Sequence, residues 1–113
     1  MNEMEDFETT VMELIIHAGE ARSCAMQALR EARSRHWQQA DALLNDARQA
    51  AREAHHIQTQ LIGADEGCGK VPVNLIMVHA QDHLMNAMLC RDLVEELICL
   101  HRQIQQLNED RSH

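Results

Sequence analysis

The stretch Val78-His79-Ala80-Gln81-Asp82-His83-Leu84-Met85 lies in the last long apolar-periodic segment of the chain, six residues after the only proline, Pro72. At roughly 100° per residue, His79 and His83 fall on nearly the same side of a helix, and Asp82 lies about 60° from His79. The three side chains point toward faces that are otherwise rich in Leu, Ile and Ala. Ionisable groups on such faces need a partner or a function, because burying an unpaired charge is costly.

Two apolar stripes run along the helix that this stretch predicts, on sides roughly 160° apart. The first stripe comprises Met77, Ala80, Leu84, Ala87, Met88, Val94 and Ile98, and the second stripe comprises Leu75, Leu89, Leu93, Leu100, Ile104 and Leu107. In a three-helix protomer, two helices cover only one side of the third, whereas a helix apolar over this much circumference is usually buried on both. The second stripe therefore predicts a homo-oligomer whose seam is helix three, with Asp82 inside it.

The rest of the chain indicates an all-α fold. Its 113 residues contain one Pro, one Phe, one Trp and no Tyr, a composition that favours helices and deprives strands of their usual aromatic residues. Apolar spacing predicts helices at about 7–34, 37–62 and 72–108, with frayed ends at about 1–6 and 109–113.

Short connections predict a single domain over residues 1–113, an antiparallel up-down-up bundle of three long helices. The second connection contains the glycine-rich segment Gly63–Lys70, and Pro72 suits the first turn of helix three. Gly19 lies inside helix one, where glycine costs about 1 kcal/mol relative to alanine, so close packing by a neighbouring helix is expected there.

Charge and cysteine usage limit the function classes. A net charge of −8 argues against nucleic-acid binding, which needs a basic face. No apolar run approaches the roughly 18 residues of a membrane span, and the acidic residues 1–6 do not resemble a signal peptide. The four cysteines lack metal-binding spacing, which is typical of free thiols in a reducing compartment. We therefore expect a cytoplasmic protein with no nucleic-acid partner and no membrane insertion.

The histidine pair allows three interpretations from the residues alone. His79 and His83 could be ordinary polar helix positions, or half of a transition-metal site with Asp82, Cys90 or another subunit as a further ligand. They could also perform nucleophilic chemistry, because a neutral imidazole attacks phosphorus and later leaves it. In that case His83, one turn away from His79, and Gln81 or Asp82 could orient the ring or hydrogen-bond the phosphoryl oxygens.

Asp82 also has two interpretations. It could lie at the edge of the seam, solvated or paired with an arginine. Alternatively, copies of Asp82 could meet around a symmetry axis, where carboxylates must share protons or hold a cation. Ligation by oxygen alone suits a hard ion such as Mg²⁺ or Ca²⁺.

Three blocks of sequence carry a family resemblance: Ile16-His17-Ala18-Gly19-Glu20-Ala21-Arg22-Ser23, Glu53-Ala54-His55-His56-Ile57-Gln58-Thr59-Gln60-Leu61-Ile62, and Val78 through Met85. With them the chain resembles the lactose/cellobiose-type IIA component of the bacterial phosphoenolpyruvate-dependent sugar phosphotransferase system. It looks closest to the chitobiose and cellobiose members. The likeness extends from about Val11 to His101.

The resemblance implies a homotrimer of three-helix protomers and a phosphocarrier function. It implies that His79 accepts a phosphoryl group from the phosphocarrier protein HPr and passes it to a cysteine of the cognate IIB component, for uptake of a disaccharide such as cellobiose, chitobiose or lactose. It places Asp82 near the three-fold axis with a divalent cation, Mg²⁺ being expected, and His83 also matches the family motif. The rival hypothesis is a non-enzymatic helical scaffold that binds a transition metal through His79 and His83.

Three departures from the family pattern lie outside this site. Arg35-His36-Trp37 replaces a Gly-Asp-aromatic turn, so the first connection is expected to be shaped differently. Cys68 is an unusual loop residue, and His17 stands where a small polar residue is frequent.

Overall fold

The computed structural model of the protein describes residues 3–111, with side chains from residue 6 onward. It contains three helices: α1 (Glu3–Arg33), α2 (Trp37–Asp65) and α3 (Leu75–Arg111). The predicted all-α, three-helix architecture is confirmed. Among residues 3–111, none of the helices has the length and continuous apolar character that a bilayer span requires.

Helix α1 forms the middle of the bundle, because it packs along both other helices while α2 and α3 barely touch one another. Its buried face is made mostly of alanine, and small side chains allow neighbouring helices to approach closely. The buried residues of α1 are Val11, Leu14, Ala18, Ala21, Ala25, Ala28 and Ala32. The result is an elongated protomer of 66 × 24 × 20 Å.

Long polar side chains bridge the gap between α2 and α3. Four pairs do so, with donor and acceptor atoms 2.6–2.8 Å apart: Trp37–Gln105, Asp41–Arg102, Arg48–Glu95 and Gln58–Gln81. The Arg102 guanidinium also stands 4.7 Å from the Trp37 ring centroid, a cation–π contact. These polar pairs fix the spacing between α2 and α3 beside buried clusters to which both helices contribute apolar side chains.

The two stripes of α3 have opposite surroundings. In the first stripe Met77, Ala80, Leu84, Ala87, Val94 and Ile98 are buried against the other helices, and Met88 packs on the core. Every residue of the second stripe is exposed, from Leu75 at 85% to Ile104 at 46%. The prediction that one side of helix three stays uncovered within the protomer is therefore confirmed.

The helices extend beyond their predicted ends. α1 begins at Glu3 and α3 ends at Arg111, so the prediction of frayed ends is wrong for residues 3–6 and 109–111; the first two and last two residues lie outside the described part. α2 continues to Asp65 and ends where Glu66 adopts a left-handed conformation at φ 53°.

Asp65 organises the loop that follows α2. Its main-chain carbonyl accepts a hydrogen bond from the Cys68 amide at 3.1 Å. Its carboxylate accepts from the amides of Gly69 and Val71 at 3.4 and 3.0 Å. The glycine-rich segment is thus an ordered turn that returns the chain to α3.

The start of α3 differs from the prediction, which placed Pro72 in the first helical turn. Pro72 lies in non-helical chain, and the helix begins at Leu75. The reason is Asn74, whose Oδ1 accepts a hydrogen bond from the Met77 amide at 3.1 Å. A side-chain oxygen at this position satisfies one of the free amides of the first turn, which proline cannot do.

The first connection closes α1 with a Schellman motif. The His36 amide donates to the Glu31 carbonyl at 2.9 Å, and the Arg35 amide donates to the Ala32 carbonyl at 3.0 Å. Arg35 lies at φ 64°, in the left-handed region that glycine adopts without penalty. The first connection was expected to differ from the family pattern at Arg35-His36-Trp37. The difference is that Arg35, rather than glycine, occupies the left-handed position, which strains the backbone there.

Replacing Arg35 by glycine is expected to raise the free energy of unfolding by about 0.5–1 kcal/mol. Glycine relieves the left-handed strain of the folded state, and this gain is partly offset because glycine also gives the unfolded chain more conformational entropy. The Arg35 guanidinium has no hydrogen bond or ion pair within residues 3–111, so no contact is lost. Urea unfolding measures the difference. Arg35→Ala is the matched control, because alanine keeps the strain; equal stability of the two variants would contradict this account.

The close packing expected at Gly19 is not found. A Cβ placed on Gly19 would meet no other atom within 4 Å. The prediction is therefore wrong for the protomer, because the hydrogen of Gly19 faces open space rather than a neighbouring helix.

Candidate functional site

His79 and His83 form a ring pair in the second and third turns of α3. Their centroids are 4.6 Å apart and the ring planes meet at 84°, an edge-to-face contact. His79 is exposed, whereas His83 is half-buried. Neither imidazole forms a hydrogen bond with another described residue. The structure therefore brings together the two histidines that the sequence pattern placed on one side, with His79 open to an approaching partner.

Gln81 faces the opposite side of α3, about 200° from each histidine. Its amide exchanges two hydrogen bonds with the amide of Gln58 on α2, at 2.6 and 2.7 Å. The Gln81 Nε2 also lies 3.4 Å from the Met77 sulfur. A direct hydrogen bond from Gln81 to a group on His79, which the sequence suggested, does not fit this geometry; Gln81 sets the spacing between α2 and α3.

Asp82 is exposed on the side of the second stripe. Its Oδ1 accepts a hydrogen bond from Asn86 Nδ2 at 3.0 Å, one turn further along α3. It has no ion pair in residues 3–111, so the alternative in which an arginine neutralises it is not what the protomer shows. The second carboxylate oxygen remains available to a group outside the protomer.

An open groove runs between α1 and α3 beside the histidine pair. Its wall on α1 contains Arg22, Met26 and Leu29. Its wall on α3 begins at Asp82 and His83 and includes Leu89 and Leu93 of the second stripe, together with Asn86, Cys90, Val94 and Leu97. The groove therefore joins the histidine site to the uncovered apolar face.

A single protomer does not supply a metal centre within its described residues. No group of three His, Cys, Asp or Glu side chains in residues 6–111 is placed to hold an ion. Two imidazoles fall short of the three or four protein ligands typical of zinc, so the transition-metal scaffold is not supported. Asp82 contributes one carboxylate per chain, and a cation there would need further copies.

The cysteines do not join the site as nucleophiles. Cys24, Cys68, Cys90 and Cys99 are all free thiols. Burial raises the pKa of the Cys24 thiol, and the negative charges of Glu20 and Asp46 raise it further. Since the thiolate is the reactive form, Cys24 is less reactive than an ordinary exposed cysteine.

Two residues beside the site were not predicted as site residues, namely Arg22 in the groove and Gln58 opposite Gln81. Each is polar at a position in an apolar helical pattern: Arg22 continues the spacing of Ala18 and Ala25, and Gln58 adjoins Ile57. The sequence signal that could have identified both residues is a polar side chain within an apolar helical face. The residues that each of them meets lie on another helix and could not be read from that pattern.

The described residues form an elongated three-helix bundle with an exposed imidazole beside an open groove, which defines the class as an all-α bundle with its candidate site on the surface. Comparison with known proteins makes the assignment specific. The chain belongs to the lactose/cellobiose-specific IIA subunit family of the phosphotransferase system, whose sequence profile matches residues 9–102. It is therefore a phosphotransferase component.

Relatives and solved structures agree with this assignment. The chain is 49% identical over 102 residues to the N,N'-diacetylchitobiose-specific EIIA component of Escherichia coli K12, covering 90% of this chain and 88% of that protein. The cellobiose-specific enzyme IIA of Bacillus anthracis superimposes with a TM-score of 0.85 at 37% identity, over 94% of each chain. The E. coli chitobiose IIA, solved in complex with HPr, gives a TM-score of 0.77 at 46% identity, over 93% of this chain and 99% of that one.

Proposed function

We propose that this protein is the phosphocarrier of a sugar phosphotransferase system, with His79 as the residue that carries the phosphoryl group. The observation that supports this most directly is the exposed His79 ring, held edge-to-face by His83 on a rigid helix. The donor is phospho-HPr, as suggested by the solved complex of the chitobiose relative with HPr. The acceptor is a cysteine of the cognate IIB component.

The chemistry is an in-line transfer between nitrogen atoms. A lone pair of the neutral His79 imidazole attacks phosphorus while the phosphorus–nitrogen bond to the donor histidine breaks, and that nitrogen recovers its lone pair. In the second transfer a cysteine thiolate of IIB attacks the same phosphorus and His79 leaves. The protein contributes position and charge stabilisation, and His83 holds the His79 ring in place and lies within reach of the carried group.

Exposed apolar side chains surround the histidine site and suit brief docking of two successive partners. They include Leu75, Ile76, Val78 and Met85. Partner exchange of this kind requires a modest interface, since a tightly bound carrier would not turn over. We place the protein in the cytoplasm, consistent with its four free thiols. The transported sugar is a disaccharide of the cellobiose, chitobiose or lactose type.

The test is phosphorylation of the purified chain by phosphoenolpyruvate, enzyme I and HPr, followed by intact mass spectrometry. We expect one phosphoryl group per chain, removed when IIB is added. Omission of HPr is the control and should leave the mass unchanged. A chain that gains no phosphoryl group in the complete mixture would overturn the proposed function.

We further propose that three protomers assemble through the second stripe of α3, with their Asp82 carboxylates around the axis. Each chain offers one carboxylate, Asp82, with one oxygen free of hydrogen bonds. A single carboxylate is too few ligands for a cation, so a bound ion requires the Asp82 side chains of several copies to meet. Three such oxygens suit a hard divalent ion such as Mg²⁺, which completes its shell with water. In this assembly the ion neutralises the carboxylates and has no part in phosphoryl transfer.

Asp82→Leu tests the role of the carboxylate in the assembly. Removing three like charges from an apolar seam should let the trimer persist in a chelator that dissociates the parent protein. Sedimentation velocity with and without chelator measures this. The matched control is Asp92→Leu, an exposed acid of the same helix outside the stripe. Equal chelator sensitivity of Asp82→Leu and the parent would count against a shared ion.

A further inference from the structure

A second, smaller hollow lies beside the histidine pair on the α1 side. Its lining residues are Gly19, Arg22, Ser23, Met26 and Arg30 from α1, together with His83 from α3. Arg22, Met26 and His83 also line the longer groove, so the two spaces are continuous. The hollow therefore opens next to His83, whose ring centroid is 4.6 Å from that of His79.

The charge of this hollow is opposite to that of the chain. Its lining residues include two arginines and no acidic residue, although the protein carries a net charge of −8; Asp82 lines the longer groove that continues from it. The guanidinium groups of Arg22 and Arg30 have no hydrogen bond or ion pair within residues 6–111, whose side chains the structure describes. By contrast, Arg48 and Arg102 are paired with carboxylates on the other side of the bundle. Unpaired guanidinium groups in a concave surface are available to an anion, and they match phosphate oxygens with two parallel hydrogen bonds.

Two further features keep the hollow open and polar. Gly19 leaves space where a Cβ would stand, at a mid-helix position where glycine is otherwise unfavourable. The Ser23 hydroxyl oxygen accepts a hydrogen bond from Gln27 Nε2 at 3.1 Å, so its own hydrogen is free to donate. Gly19 thus leaves room for a small anionic group, and Ser23 offers it a hydrogen-bond donor.

We propose that this hollow is an anion subsite that binds the phosphoryl oxygens of the group carried at His79, with Arg22 as its principal ligand. The inference rests on the proposed function, because it assigns binding residues to that same phosphoryl group. Arg22 meets the oxygens of the transferring group from the α1 side while His83 supports the ring from α3. Arg30 and Ser23 add positive charge and a donor behind it. No bond is made or broken at Arg22, which acts by hydrogen bonding and charge.

A guanidinium at this position stabilises charge that develops on the phosphoryl oxygens during transfer, so its loss should slow transfer about 10- to 100-fold, as for other hydrogen bonds to charged groups. The phosphorylated chain should still form. The effect therefore falls on the rate, whereas loss of the nucleophile removes the reaction.

The experiment compares Arg22→Gln with Arg33→Gln, an exposed arginine of the same helix outside the hollow. The rate of phosphoryl transfer from phospho-HPr is measured by rapid quench and intact mass. In the parent protein, the ¹⁵N signal of Arg22 Nε is followed by NMR before and after phosphorylation. We expect slowed transfer in Arg22→Gln alone, and a phosphorylation-dependent shift of the Arg22 Nε signal in the parent.

Every outcome bears on the proposal. An unchanged Arg22 Nε signal in the phosphorylated parent overturns it, and this measurement needs no variant that might fail to fold. Equal transfer rates of Arg22→Gln and Arg33→Gln overturn it as well. Dissociation of Arg22→Gln in sedimentation, with no Nε shift in the parent, would assign Arg22 to contacts between copies instead. If the parent itself gains no phosphoryl group, the proposed function fails, which is a result distinct from failure of the subsite.

Discussion

His79→Gln should lose phosphoryl acceptance from phospho-HPr by a factor on the order of 10³ or more, because the nucleophile itself is removed. The nitrogen lone pair of a glutamine amide is delocalised into its carbonyl, so it does not attack phosphorus. His83 is half-buried beside His79 and is therefore less open than His79 to an approaching donor. Rapid-quench transfer assays with intact mass measure both the rate and the final stoichiometry.

His83→Gln is the matched control for this prediction. It removes the supporting imidazole but keeps the nucleophile, so phosphorylation should still reach one group per chain, about 10- to 100-fold more slowly. A phosphoryl group that persists in His79→Gln and disappears in His83→Gln would reverse the assignment of the two rings. Circular dichroism of both variants checks that α3 remains helical.

Leu93→Glu should convert the proposed trimer into monomers, with an increase of at least about 10³-fold in the concentration at which it assembles. Leu93 is 54% exposed in the protomer and lies both in the second stripe and in the groove beside α1. Each copy loses roughly 1.5–3 kcal/mol of leucine burial, and three carboxylates would stand close together in an apolar seam. Analytical ultracentrifugation over a range of concentrations measures the change.

Gln106→Glu provides the comparison, since it places the same charge on an exposed face of α3 outside the second stripe. It should remain as associated as the parent protein. A trimeric Leu93→Glu would show that the second stripe does not form the seam. Helix content should be similar in both variants, because glutamate is a good helix former.

The helices and the two stripes of α3 were predictable because they follow from a periodic pattern within one segment. The positions of the helix ends were harder to predict from the sequence. Asn74 starts α3 and Asp65 closes the preceding loop through hydrogen bonds from single side chains to nearby amides. Such bonds leave no periodic signal in the sequence. Proline and glycine are recognisable helix breakers, but Pro72 and Gly63 lie beside the real boundaries rather than at them.

The site was predictable to the extent that it depends on one helix. The spacing of His79 and His83 fixes their contact, whatever the rest of the fold does. The surroundings of Gln81 and Arg22 depend on residues of other helices, Gln58 on α2 and His83 on α3, so only the assembled bundle shows them. In the proposed trimer the surroundings of Asp82 depend further on other copies of the chain.

The uncovered second stripe has a consequence for folding equilibria. In the proposed trimer the leucines of that stripe lose their contact with water only when other copies are present, so part of the folding free energy comes from association. Mass action then links stability to abundance: the melting temperature should rise with protein concentration, and dilution should lower the stability of α3 as the protomers separate. Expression level thus becomes one of the determinants of how well this chain is folded.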